Sequence, residues 1–362
     1  MSPSLWTALA AVSTAYAASD NSQVFALPVK DVSLSNGKLM RGVPISAGTP
    51  SQSFAVVPQA HFDDTILYTK SSGACASNAT SATCVTLCGG LYDQQTSSSS
   101  STIDQDPGND SIVGDDLLIG NSSLSDYPIV LPITEWGPTG NTLGSLGVSP
   151  NSTLLNALLT AGKIASRSYS WWWGVQTSTN LAATDGQLVL GGFDAAKMQG
   201  SQYSFPLVAP TRTALLACLQ ACIMPDAPLI AYIPQTPYFK TFQALTGTSN
   251  VGTELQPATL NYQGMLFPQS NVYKGNLTIS INNEIAFEFP NDQLVLPNAN
   301  VQPDGSILAD QAAPELLLGS VLGPSSGWAV LGRSFFQAAY LAVNYDAGNF
   351  TISLWAREER LA

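Results

Sequence analysis

The chain carries a single histidine, His61, close to two carboxylates, Asp63 and Asp64. A His beside an Asp could serve a Ser-His-Asp hydrolase, in which imidazole takes the proton of a serine nucleophile, or it could ligate a metal. The rest of the chain completes neither chemistry. No Gly-x-Ser-x-Gly elbow occurs, and a metal site needs more than one His or Cys at suitable spacing. No metal and no other cofactor is therefore expected, and His61 reads as a part-exposed cleft residue. A further carboxylate, Asp226, lies in Ile223-Met224-Pro225-Asp226-Ala227-Pro228, far along the chain. Two carboxylates brought close together share one proton, because like charges at short range cannot both ionise. One acid then activates water while the other polarises a carbonyl.

The surroundings of these residues point to that second chemistry. Gly48-Thr49-Pro50-Ser51-Gln52-Ser53-Phe54-Ala55-Val56-Val57-Pro58-Gln59-Ala60-His61 resembles the first active-site segment of pepsin-like aspartic peptidases, and of their fungal secreted branch. In that family a Gly-Thr-Pro turn and a Val-rich strand lead into Asp-Thr-Gly. Counted without gaps, the triplet falls on Gln59, Ala60 and His61. Gln cannot take up a proton at physiological pH, Ala offers no bracing hydroxyl, and a side chain at 61 restricts a turn that Gly would allow. In the second segment, anchoring on Pro234 places the catalytic position at Pro225, and a shift of one places it at Asp226. Either way Ala227-Pro228 stands where Thr-Gly is expected. No catalytic pair is assigned, and the cleft-lining candidates are Gln59, His61 and Asp226. A rearranged pair of Asp226 with Asp64 or Asp63 is the alternative, and it would make the chain an active acid endopeptidase.

The resemblance continues elsewhere. Leu190-Gly191-Gly192-Phe193-Asp194 is similar to the strand pair that closes the first lobe, and Leu331-Gly332-Arg333-Ser334-Phe335 to the Leu-Gly segment near the end. The family's flap bears a Tyr at its tip, whereas Ile103 to Gly114 contains no aromatic residue. Little chain separates a cleavage after Ala17 from the first strand, so no basic prosegment is expected. The implied fold is all-β and bilobal, two β-barrel-like lobes around a central cleft. Its expected organisation is a signal peptide over 1–17, an N-terminal lobe over 18–206, a C-terminal lobe over 207–356 and a polar tail over 357–362. At the matching place pepsins close a short disulfide before the second segment, which implies Cys218 with Cys222. Cys75 would pair with Cys84 or Cys88.

Stepping outward, the elements that would hold such a site are short strands. Gln187 to Gly192 and Gly275 to Ile281 are β-like runs bounded by turn residues. Helix candidates are few: Ser152 to Ala161, Pro237 to Thr246 and the run around Phe335 to Tyr340. A weak repeat pairs the Gly-Thr-Pro segment with Leu143 to Val148, and Ile223 to Pro234 with Trp328 to Phe335. Each pair has the form of an extended segment crossing beneath an apolar-apolar-Gly strand, where Gly lets two backbones approach. Trp171-Trp172-Trp173 could stack on sugars, but strand alternation favours a core side and a surface side, with Trp172 opposite its neighbours.

Composition agrees with this outline. Of 362 residues 45% are apolar and 10% charged, with 29 Gly and 23 Pro, a balance suited to strands and turns. A net charge of −12 with 13 Lys and Arg argues against nucleic acid as a partner. No run after the leader is long enough to span a bilayer. Leu5 to Val12 followed by Ala15-Tyr16-Ala17 reads as a secretory signal, and sequons at Asn78, Asn109, Asn121, Asn151, Asn276 and Asn349 fit an extracellular glycoprotein. The expected protein is a secreted monomer, a pseudopeptidase whose cleft holds a peptide, a polysaccharide or another protein.

Overall fold

A computed structural model describes residues 24–72, 81–105, 110–133, 142–178, 184–207, 220–247, 252–253, 260–261, 264–321 and 328–355. The fold is all-β and bilobal, of the pepsin type. A continuous sheet begins with six antiparallel strands in the order Met198–Pro206, Asn349–Trp355, Ala339–Asn344, Ser168–Trp172, Gly186–Leu190 and Phe25–Ser33. Because strands from the two ends of the chain interleave in it, this sheet ties the halves together. It runs on through Leu39–Ala47 into the first lobe.

Each lobe contains a parallel crossing that leads into one of the two loop segments. In the first, Gln52–Gln59 runs parallel to Ser145–Gly147, with Gln59 opposite Gly147. In the second, Gln220–Ile223 runs parallel to Trp328–Leu331, with Ile223 opposite Leu331. The repeat read from the sequence is thus a repeated strand crossing, and it delivers both loop segments to the junction of the lobes. Apolar alternation explains the packing around them. Val43, Val56, Leu117, Ile129 and Leu146 fill the first lobe, while Phe287 and Phe289 meet Phe335 in the second at ring separations of 4.9 and 5.8 Å.

Several expectations are corrected by burial and pairing. The helix at Thr153–Thr160 forms, its first turn capped by the Ser152 hydroxyl accepting from Leu155 N at 3.0 Å. The second candidate forms over its whole length, a π-helical turn over Gln235–Phe239 running directly into the α-helix Lys240–Thr246. The third forms only in part: Arg333–Gln337 is a short 3-10 helix, and Tyr340 belongs to the strand Ala339–Asn344, where it is wholly buried. Trp171, Trp172 and Trp173 are all buried, so no sugar platform exists. Alternation does send Trp172 to the opposite face, but Trp355 covers it in a stack at 3.4 Å.

The cysteines also depart from expectation. Cys84 is disulfide-bonded and Cys88 is a free, buried thiol; Cys75 lies outside the described residues. Cys222 is free rather than bridged to Cys218, which also lies outside the described residues. A bridge across four residues requires the chain to fold back, whereas Gln220 and Ala221 are extended and paired with Trp328 and Ala329. Of the sequons, Asn121, Asn151 and Asn276 are exposed and Asn349 is half-buried; Asn78 and Asn109 lie outside the described residues.

Burial pushes the Cys88 thiol up to about 12, so little thiolate exists at neutral pH. Cys88 is accordingly expected to resist a thiol reagent in the native protein, and to react at the rate of an ordinary cysteine once the protein unfolds in guanidinium. Alkylation read by peptide mass spectrometry checks this, and rapid native labelling at Cys88 would contradict the burial.

Candidate functional site

The two loop segments meet at Gln59 and Asp226. Gln59, at the end of its strand, is 4% exposed and Asp226 is 0% exposed. Gln59 Nε2 donates to Asp226 Oδ2 at 3.4 Å, and its Oε1 accepts from the Ser145 hydroxyl at 2.7 Å. The short Ser145 bond fixes which way the amide faces, carbonyl toward Ser145 and N–H groups toward the junction. His61 closes the group. Its Nε2 lies 3.4 Å from Gln59 Nε2 and its Nδ1 lies 3.8 Å from Asp226 Oδ1. With Gln59 as donor, His61 Nε2 is the acceptor and the ring proton sits on Nδ1, toward the carboxylate.

Sequence counting left Pro225 and Asp226 as alternatives, and the structure brings Asp226 to Gln59. The strand register shows why counting was ambiguous. The residue that matches Gln59 by its place in the crossing is Met224, whose N–H donates to Leu331 O at 2.9 Å. Asp226 arrives from further along, over a turn closed by Ala227 N donating to Met224 O at 3.0 Å. Arg333 N then donates to Ala227 O at 2.6 Å and the Ser334 hydroxyl to Pro228 O at 2.7 Å. Ala227 and Pro228 thus have their carbonyls held within their own lobe.

Asp63 serves a different purpose. The Ser149 hydroxyl donates to Asp63 Oδ1, and the Asp63 carbonyl accepts from Thr153 N at 2.9 Å. Thr65 is buried and its hydroxyl bonds the Tyr127 hydroxyl at 2.9 Å. This stretch is committed to a turn against the Thr153–Thr160 helix.

Two groups around the junction escaped sequence reasoning. Ser145 orients Gln59, and its position opposite Val57 in the parallel crossing is the signal that could have found it. Arg333 is the other. Burial lowers its guanidinium to about 10, opposed by interaction with Tyr232 and Asp226, so it stays protonated at neutral pH. Burial also raises the phenols of Tyr68, Tyr169 and Tyr232, and the Asp226 charge adds to each of these shifts. Among the described residues no group of three or more His, Cys, Asp or Glu side chains is placed to hold a metal.

This arrangement has one carboxylate facing an amide and an imidazole. No protein-family model matches the chain. It is 25% identical over 371 aligned positions to proteins described as "Probable aspartic-type endopeptidase OPSB" from Arthroderma benhamiae and from Trichophyton verrucosum, covering 89% of this chain and 69% of each relative. The match supports an aspartic peptidase-like relationship.

Two predictions follow from the geometry. A Cβ on Gly332 would lie 2.3 Å from Leu229 O and 2.5 Å from Ala227 O, and one on Gly147 would lie 2.5 Å from the Asp63 carbonyl carbon. Gly332→Ala and Gly147→Ala should each destabilise the protein by at least about 1–3 kcal/mol in urea unfolding, since the neighbouring backbone cannot yield cheaply. The second concerns charge. Gln59→Glu places a carboxylate beside Asp226, and like charges raise the folded-state pKa of the pair above its unfolded value. Stability is then retained below about pH 4 and lost as pH rises, by about 1–3 kcal/mol at pH 7 relative to the unsubstituted protein. Thermal unfolding across pH checks this; a difference independent of pH would show that the two side chains do not interact.

Proposed function

We propose that this chain is a secreted, monomeric glycoprotein that keeps a pepsin-type cleft as a binding surface and does not cut peptide bonds. The observation that carries the proposal is the contact between the Gln59 amide and the buried Asp226 carboxylate. An aspartic dyad needs two groups that exchange a proton, and an amide neither accepts nor yields one at physiological pH. The fixed orientation of Gln59, held by Ser145, supports a permanent structural pairing. An extended polypeptide is the first ligand to test, followed by polysaccharide and folded protein partners.

A second reading has a specific observation in its favour: both similar proteins are described as aspartic-type endopeptidases. On that reading Asp226 works with His61 or with an acid supplied by a loop movement, and peptide bonds are hydrolysed at acidic pH.

The two readings separate in one experiment. Purified protein incubated with denatured globin or casein between about pH 3 and pH 6 is expected to leave the substrate intact, with and without pepstatin, and pepstatin is expected to produce no thermal shift. Synthetic decapeptides should be recovered uncut while raising the unfolding temperature. Pepstatin-sensitive cleavage that disappears in Asp226→Asn would overturn the binding-only reading.

A further inference from the structure

A cavity of about 90 Å³ lies at the junction of the halves, lined in part by Arg41, Trp173, Gln176, Asn261, Ala299 and Arg333. Two of these are cations drawn from different lobes. Arg41, on the strand Leu39–Ala47, is 7% exposed; Arg333, just past Trp328–Leu331, is 9% exposed. Their guanidinium carbons stand 5.1 and 5.2 Å from the same Trp173 ring. Arg41 Nη2 donates to the carbonyls of Trp173 and Thr184, each at 2.7 Å, and Arg333 Nη2 donates to Leu260 O at 3.1 Å. Arg41 Nε and Arg333 Nη1 are buried and have no hydrogen-bond partner among the described residues. Among the described residues neither guanidinium forms an ion pair.

Two buried guanidiniums that share one ring, each with a donor left over, are an unbalanced arrangement. A buried charge is costly unless it is paired and hydrogen-bonded, and a spare N–H needs an acceptor. Guanidinium geometry matches planar oxyanions, and carboxylates above all. The cavity has room for several water-sized groups, and Met40, Leu143, Leu296 and Pro297 give it apolar walls suited to a short alkyl tail.

We propose that this cavity is a binding site for a small carboxylate, held between Arg41 and Arg333 beside the Trp173 ring with its alkyl part against the apolar wall. The site uses residues other than Gln59, His61 and Asp226, and it holds whether or not the chain cuts peptides.

Calorimetric titration of the full chain with sodium acetate tests it, at constant ionic strength against sodium chloride. Saturable binding of one acetate per chain is expected, together with a rise in unfolding temperature that chloride does not reproduce. Arg333→Met should weaken acetate at least tenfold. Ala299→Leu keeps both arginines and fills the space, so it should do the same while leaving cooperative unfolding intact, and it decides the matter if Arg333→Met does not fold. Tighter binding of N-acetylglycine than of acetate, abolished in its amide, would support the site and assign it to a peptide-borne carboxylate. Preference for acetate would support it and assign it to a free acid. Absence of saturable acetate binding, or unchanged affinity in Ala299→Leu, overturns the proposal.

Discussion

A carboxylate removed from water has to be compensated by its neighbours, and Asp226 sets that requirement at the meeting point of the two lobes. Its partners come from the opposite lobe as an amide and an imidazole, while a buried guanidinium from its own lobe supplies charge at longer range. Compensation by hydrogen bonding and by a distant cation, rather than by a second acid, gives the site a settled electrostatic state.

The backbone makes this meeting possible. Each lobe passes one strand beneath another in parallel, and at each crossing a glycine admits a carbonyl from the adjacent loop where a methyl group would collide. The crossings are related in form without being identical, since the second loop spends additional residues on a turn before Asp226 reaches the junction. A side chain's place in a symmetric scaffold therefore depends on loop length as much as on strand register.

Much of the architecture was legible from residue patterns. Gly-Thr-Pro at 48–50, the apolar-apolar-Gly strands and the Leu-Gly-Gly run at 190–192 locate the crossings and the joining sheet, because close backbone approach demands glycine in any sequence that adopts this topology. The place of Gln59 at the end of its strand was legible for the same reason, since its register opposite Gly147 is fixed. The remainder depended on tertiary context. Trp172 looked surface-bound until the terminal strand brought Trp355 over it, and Phe335 to Tyr340 looked helical until strand pairing claimed Tyr340. Arg333 carries no local signal, because its role exists only once both lobes are assembled, and Ser145 is found only through the register of its crossing.

The lobes also touch away from the joining sheet. The Thr83 and Thr86 hydroxyls, on the short helix Ser81–Leu87, donate to the carbonyls of Gln302 and Gly305 at 2.9 and 2.8 Å, and Lys38 meets Asp304 at 3.0 Å. A bilobal molecule fastened only along a shared sheet can swing like a book on its spine, and one that is also latched at a corner cannot swing without first releasing the latch. Each bond of this latch is weak by itself, but they must break together. Whatever enters between the lobes therefore meets a nearly fixed gap, and adjustment to its shape falls to side chains and loops rather than to the angle between the halves.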